Sequence, residues 1–229
     1  MGYQQRVKEE KAAAIVEAAT QLFLENGYER TSLAQVARTA GVSTATLFKR
    51  FPTKAALFEA IVRRYWTLEG RGRISPEPGD LRAGLRQIGG EYATLLTTPG
   101  MTSLFRTVIA ETSRFPELGR MNFDLGKRDF LEGLCSYLRS EQEAGTLVPC
   151  AVDTAATQFL GMISGQIFWP RLLLTDFVLT DSETDSAVEE AVSTLLARYA
   201  APTAQAASRA ARLAAHDPPN HPGPRAPAA

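Results

Sequence analysis

Apolar positions along this chain repeat with helical spacing from near its start to about residue 199. Between Lys8 and Asn26, the residues Ile15, Ala18, Ala19, Leu22 and Phe23 fall at i, i+3, i+4, i+7 and i+8, one stripe of a helix. Gly27 is placed to close that helix as a left-handed cap. Leu33, Val36, Ala37 and Ala40 define a second, short helix entered through the side-chain oxygens of Thr31 and Ser32 and broken by Gly41. Ser43 caps a third helix, Thr44 to Arg50, which stops where Phe51 precedes Pro52, because a proline drives the residue before it out of the helical region. A fourth runs from Lys54 to about Glu69, with Leu57, Ile61, Val62 and Tyr65 on its inner side. β-Branched residues occur singly rather than in alternating runs, so strand signals are nearly absent.

Residues 70–80 (GRGRISPEPGD) are rich in Gly and Pro and read as a connection between domains. Five longer helical patterns follow, over about 80–97, 102–113, 117–144, 153–174 and 182–199, punctuated by Pro99-Gly100, Pro116, Gly145 and Asp181-Ser182. The last thirty residues hold 12 Ala and 6 Pro, a composition that buries too little to order itself. The pattern therefore predicts an all-α protein in three parts: an N-terminal domain of short helices over 1–70, a helical-bundle domain over 71–200, and a disordered tail over 201–229.

The segment AQVARTAGVSTATLFKRF joins two short helices through a glycine turn, the pattern of a helix-turn-helix. Ala37 allows close approach, Val42 and Leu47 pin the second helix to the first, and Thr44, Ala45, Thr46, Lys49 and Arg50 are left facing outward. A short polar and basic face of that kind suits a major groove. The helix starts at Thr31/Ser32, Ser43/Thr44 and Thr53/Lys54 supply amides suited to phosphate. Helical hairpins with glycine turns also occur as plain packing in many bundles, so the wider context decides.

Charge supplies part of that context. The 25 basic and 25 acidic residues cancel, yet residues 1–75 hold twelve Lys or Arg against seven Asp or Glu and the remainder holds thirteen against eighteen, so the halves carry +5 and −5. A basic head that meets an anion and an acidic body with another task fit this asymmetry. Both histidines, His216 and His221, fall in the tail, so a His-dependent triad or a His-rich metal site in the body is excluded; we expect no enzyme, no cofactor and no metal. Cys135 and Cys150 read as buried thiols in a reducing compartment. The start, MGYQQRVKEEKAAAIVEAA, has no apolar run of signal-peptide length. The most apolar stretch, Phe159 to Leu174, is broken by Gln166, Pro170 and Arg171 and falls short of the roughly 20 residues a bilayer needs, so a cytoplasmic protein with no membrane partner is expected.

Over IVEAATQLFLENGYERTSLAQVARTAGVSTATLFKRFPTKAALFEAIV, residues 15 to 62, the chain resembles the TetR/AcrR family of one-component transcriptional regulators. The resemblance implies an N-terminal three-helix helix-turn-helix DNA-binding domain whose third helix, Thr44 to Arg50, enters the major groove of a palindromic operator, with two protomers acting together, followed by a helical-bundle ligand-binding and dimerisation domain. Carried over position by position, Ser32, Ser43, Thr46 and Lys54 become phosphate contacts and Thr44, Ala45 and Lys49 base readers, with Arg50 beside them. Arg6, Lys8 and Lys11 lie where such proteins carry a basic arm. Phe48 stands where the family most often has a tyrosine whose hydroxyl touches phosphate, so the packing is kept and that hydrogen bond is not.

The second domain resembles, more loosely and over about 105–175, the C-terminal domain of an AcrR-like subgroup, which implies an effector cavity and dimerisation through the last two helices. Phe105, Ile109, Phe123, Phe130, Leu134, Phe159, Met162 and Trp169 are the expected pocket, since cavities for apolar ligands are lined by such side chains. Tyr92, Thr107, Glu111, Asn122 and Gln166 are available as its polar contacts. Gly161, Ser164 and Gly165 form a small-residue stripe on the helix over 153–174 and, with Phe168, Leu172, Val192 and Leu195, make the expected dimer surface; packing inside one subunit is the alternative. The function expected is a dimeric repressor released from operator DNA by a small apolar or amphipathic effector, the alternative being an activator or an effector-insensitive regulator of the same fold.

Overall fold

The computed structural model describes residues 3–66 and 76–202. Four helices come first: α1 (Tyr3–Asn26), α2 (Leu33–Thr39), α3 (Thr44–Arg50) and α4 (Lys54–Trp66). After the connection come α5 (Leu81–Thr97), α6 (Met101–Glu111), α7 (Pro116–Asn122), a π-helical turn (Phe123–Lys127), α8 (Arg128–Glu143), α9 (Val152–Leu173) and α10 (Asp181–Tyr199). Among the described residues the only extended pairing is an isolated bridge between Leu147 and Ala200, so the expected all-α class and the order of the two domains are borne out. Most of the predicted connection and nearly all of the tail lie outside the described residues. No helix among the described residues is long and apolar enough to cross a membrane.

The helix ends follow from the residues that stand there. Ser32 closes a capping box: its Oγ accepts the Gln35 amide at 3.2 Å while Gln35 Oε1 accepts the Ser32 amide at 2.7 Å. Thr31 takes a different role from the cap expected, donating to the carbonyls of Leu22 and Gly27 and so tying the loop back onto α1. Gly41, at φ +66°, ends α2 in a Schellman turn in which Val42 N–H reaches Ala37 O at 3.0 Å and Gly41 N–H reaches Arg38 O at 3.2 Å. The chain there reverses within three residues, which sets α3 across α2.

Two departures from the periodicity have clear causes. α1 begins at Tyr3 rather than near Lys8, because Gln5–Glu9 and Arg6–Glu10 bond at i, i+4 and extend the helix through polar residues. The single helix expected over 117–144 is interrupted at Phe123–Lys127, where the indole of Trp66 occupies the space a Cβ on Gly126 would need. Widening to a π turn lets that indole in and sets its Nε1–H on Asn122 Oδ1 at 3.3 Å.

Two apolar cores result. The larger lies among α5, α8, α9 and α10, where Gly89 lets α5 close onto Phe159, Ile163 and Val188. Arg82 and Arg86 of α5 both pair with Glu189 of α10 across its edge. The second core gathers Ile15, Phe23, Val36, Leu47, Leu57, Phe58 and Ile61, and it is completed by Leu104, Val108 and Leu118 of the second domain. Each such side chain contributes roughly 1.5–3 kcal/mol on full burial, so this shared core holds the domains together without the connecting segment.

Candidate nucleic-acid interface

α3 is held by one buried anchor and one hydroxyl pair. Leu47 is fully buried against α2, and Ser43 Oγ accepts the Thr46 amide at 3.1 Å and lies 2.8 Å from Thr46 Oγ1 in a shared hydrogen bond. With Leu47 inward and Thr46 half-buried, the side chains of Thr44, Ala45, Phe48, Lys49 and Arg50 face solvent. Ser32 is exposed on the first turn of α2 and Ser43 on that of α3. Thr53, at the helix start expected there, caps α4 by accepting the Ala56 amide at 3.0 Å.

Lys54 sits differently from an outstretched phosphate ligand. Its Nζ donates to Tyr28 O at 2.7 Å and Glu29 O at 3.0 Å and lies 4.7 Å from the centre of the Tyr28 ring. Burial lowers its pKa, against the opposing pull of Glu111 and Glu29. Two of three ammonium protons are thus spent on fastening the start of α4 to the loop between α1 and α2.

That loop is gripped from the other side by the second domain. Glu111 Oε1 accepts the Glu29 amide at 3.2 Å, Arg114 pairs with the Glu29 carboxylate, and Phe115 packs edge-on against Tyr28 at 5.1 Å between ring centres. Glu111 and Asn122, expected as polar contacts of an effector pocket, are instead spent on Glu29 and Trp66 at the junction of the domains. The sequence reading had no signal for this, since the partners lie 82 and 56 residues apart.

The residues expected to form a pocket are dispersed. Leu134 and Phe159 belong to the closed core, Phe105, Phe130 and Met162 are half-buried at its margin, and Ile109, Phe123 and Trp169 are more than half exposed. The aromatics do cluster near α4: Phe105 lies 6.3 Å from Trp66 and 4.7 Å from Phe168, ring centre to ring centre. Of the residues expected at a dimer surface, Gly161 and Gly165 are exposed and Ser164 half-exposed, whereas Phe168, Leu172, Val192 and Leu195 are buried in their own subunit. The physical reason is that α9 and α10 pack on each other and on α5, so the larger apolar side chains of both helices go to that core. Between α9 and α10 an open groove of about 790 Å³ is lined by Gly161, Met162, Thr194, Leu195, Arg198 and Tyr199 among others.

Cys135 is buried with its thiol on Asp153 Oδ1 at 3.5 Å, and burial together with that carboxylate pushes its pKa up to about 11, so it stays protonated and inert. Among the described residues no group of three or more His, Cys, Asp or Glu side chains is arranged to hold a metal ion.

Comparison with known proteins agrees with this geometry. Residues 15–61 match the family described as bacterial regulatory proteins, tetR family, and residues 83–201 match the AefR-like transcriptional repressor, C-terminal domain, a wider span than the loose resemblance covered. The HTH-type transcriptional regulator YvkB of Bacillus subtilis (strain 168) is 28% identical over 175 residues, 72% of this chain and 85% of its own. The HTH-type transcriptional repressor ComR of Escherichia coli (strain K12) is 25% identical over 155 residues, 66% of this chain and 74% of its own. Among solved structures, the flavonoid-responsive regulator FrrA superposes with a TM-score of 0.69 at 29% identity, covering 83% of this chain and 97% of its own. Such proteins regulate transcription and are not enzymes. By its helix-turn-helix, its helical second domain and these matches, the chain belongs to the TetR family of transcriptional regulators.

Proposed function

We propose that this regulator is a repressor that binds a palindromic operator as a homodimer in the cytoplasm and leaves it when a small apolar or amphipathic effector binds the second domain. One observation carries the reading: Leu104, Val108 and Leu118 of the second domain belong to the same apolar core as Leu47 of the recognition helix, with α6 packed on α1 and α7 on α4, a route by which a change in the second domain can reach α3. ComR, a relative, is described as a repressor, and FrrA, a structural neighbour, as flavonoid-responsive. Both descriptions support the same role here.

In this reading Thr44, Ala45 and Lys49 meet base edges, and Ser32, Ser43, Thr46 and Arg50 meet the backbone. Lys54 keeps one proton for phosphate while its other two hold the loop. The effector enters where half-buried Phe105 lies against Trp66 at the junction of the domains. The exposed stripe of Gly161 and Gly165 on α9, with the groove beside α10, forms the dimer surface. An effector that favours one dimer geometry shifts the two recognition helices away from successive major grooves, about 34 Å apart. Operator DNA must then weaken effector binding by the same factor.

An electrophoretic shift with DNA from upstream of its own gene tests the DNA arm. Binding that weakens steeply between low and moderate salt is expected. A folded dimer that ignores this DNA at low salt would sink the reading. The effector arm is tested by a thermal-shift screen of small amphiphiles, flavonoids included, followed by release of the bound DNA by any compound that raises the melting temperature. Stabilisers that never release DNA would leave an effector-insensitive regulator.

A further inference from the structure

We propose that the indole of Trp66 occupies the effector's place in the unliganded protein, and that the effector is a flat fused-ring aromatic carrying one N–H or O–H donor, which takes over the position of that indole; this deepens the effector reading above and rests on it. Trp66 is the last residue of α4, a helix of the first domain, yet its ring is inserted into the helical run that carries α7 into α8. The N–H edge of the ring lies against Gly126, in the space a Cβ there would need, and Nε1–H donates to Oδ1 of buried Asn122 at 3.3 Å. The Phe105 ring stands 6.3 Å from the indole and 4.7 Å from Phe168 in an edge-on pair, centre to centre. Aromatic walls, a stretch of backbone without a side chain and one directional acceptor are what lines a small-ligand site.

Two features set this contact apart from core packing. The host helix gives up its α geometry over Phe123–Lys127 to admit the ring, and π turns of this kind are rare and concentrate at functional sites. Were filling space the whole purpose, a smaller residue at 66 would leave the helix regular. Trp66 is also half-buried and stands at a helix end, where local opening costs least, although it packs against both apolar cores. Its withdrawal takes the indole donor away from Asn122 Oδ1, and an incoming ring restores that bond only with a donor of its own. This fixes the ligand class: a fused ring matches the space vacated, and one N–H or O–H matches the acceptor. The exchange unties the end of α4 from the second domain, and Leu57, Phe58, Ile61 and Val62 of that helix share a core with Leu47 of α3.

The test uses the full chain with indole and benzofuran as probes, two rings of one shape of which only indole has a donor. In protein labelled with 5-fluorotryptophan, whose two fluorine resonances are assigned through Trp169→Phe, indole should move the Trp66 signal toward its position in the denatured chain. By calorimetry, Trp66→Ala should bind indole at least tenfold more tightly than the parent, because the competing ring is gone. The same variant should prefer indole to benzofuran by about fivefold, the worth of one hydrogen bond. A Trp66 resonance that indole leaves in place overturns the proposal, and so does a folded Trp66→Ala protein with parent-like affinity for indole or equal affinity for the two rings. Should circular dichroism find that variant unfolded, the labelled parent decides, with benzofuran needing about fivefold more ligand than indole for the same shift. Failure of the underlying reading looks different. Indole that moves Trp66 yet never releases bound DNA supports the exchange and sinks the effector reading, whereas release of DNA by compounds that leave Trp66 in place sinks the proposal alone.

Discussion

The Glu111 carboxylate at the end of α6 accepts the backbone N–H of Glu29, 82 residues earlier, at 3.2 Å. With Arg114 on the Glu29 side chain and Lys54 on the Tyr28 and Glu29 carbonyls, it makes the loop before the helix-turn-helix a joint between the domains. Replacing Glu111 by Ala should cost about 1 kcal/mol, since water can reach the freed amide. In a protein of this size that lowers the melting temperature by about 2–4 °C. Glu111→Gln keeps an acceptor oxygen and should stay near the wild type, which denaturant titration of the three proteins checks.

Gly41 and Gly126 should be intolerant of alanine for different reasons. At Gly41 a Cβ meets nothing within 4 Å, so the penalty is the left-handed backbone alone, about 1–2 kcal/mol. At Gly126 the backbone is helical and the Cβ collides with the Trp66 indole, so the penalty is overpacking, about 1–3 kcal/mol. Only Gly126→Ala should change the fluorescence of Trp66. A Gly41→Ala protein with altered indole emission would contradict this separation.

Cβ atoms added at Gly161 and Gly165 have open space around them within the subunit. Gly161→Leu and Gly165→Leu should therefore leave the fold intact, as far-ultraviolet circular dichroism would record, while weakening self-association in sedimentation velocity. Unchanged association by the double variant would move the dimer surface elsewhere.

Burial pushes the Tyr28 and Tyr92 hydroxyls up to about 12, with Glu117 and Glu111 adding to the effect at Tyr28 and a hydrogen bond to Ser164 opposing it at Tyr92. Unfolded tyrosine ionises near 10, so between about pH 10 and 12 the unfolded chain has released protons that the native protein still holds. Stability contributed by the neutral phenols is complete below pH 10 and is lost as pH rises through 12. Urea midpoints should fall across that window, and Tyr28→Phe or Tyr92→Phe should flatten the fall. An equal slope in all three proteins would show that other groups drive alkaline unfolding.

Local chemistry was legible in the residues. The stripe from Ile15 to Phe23, the caps at Ser32 and Ser43 and the turn at Gly41 depend on neighbours at most a few positions away, and the structure reproduces each. Lys54 was not legible in the same way, because its partners at Tyr28 and Glu29 are made adjacent by the packing of α4 on α1 and not by spacing. The π turn escaped notice because an inserted indole leaves no trace in the apolar period of residues 117–144. Phe168, Leu172, Val192 and Leu195 are apolar whether they meet their own core or a second subunit, so composition alone had no means of assigning them.

The shared core also bears on how the protein comes into being. Trp66, the last residue of α4, is synthesised well before Leu104, Val108 and Leu118 exist. At about 5–20 residues per second, the fifty or so residues between Trp66 and Leu118 take several seconds to synthesise. Over that interval the nascent recognition helix rests on an unfinished base. The apolar base beneath α3 is therefore completed only after part of the second domain has been translated, and a truncated product ending within the connection never acquires it in full.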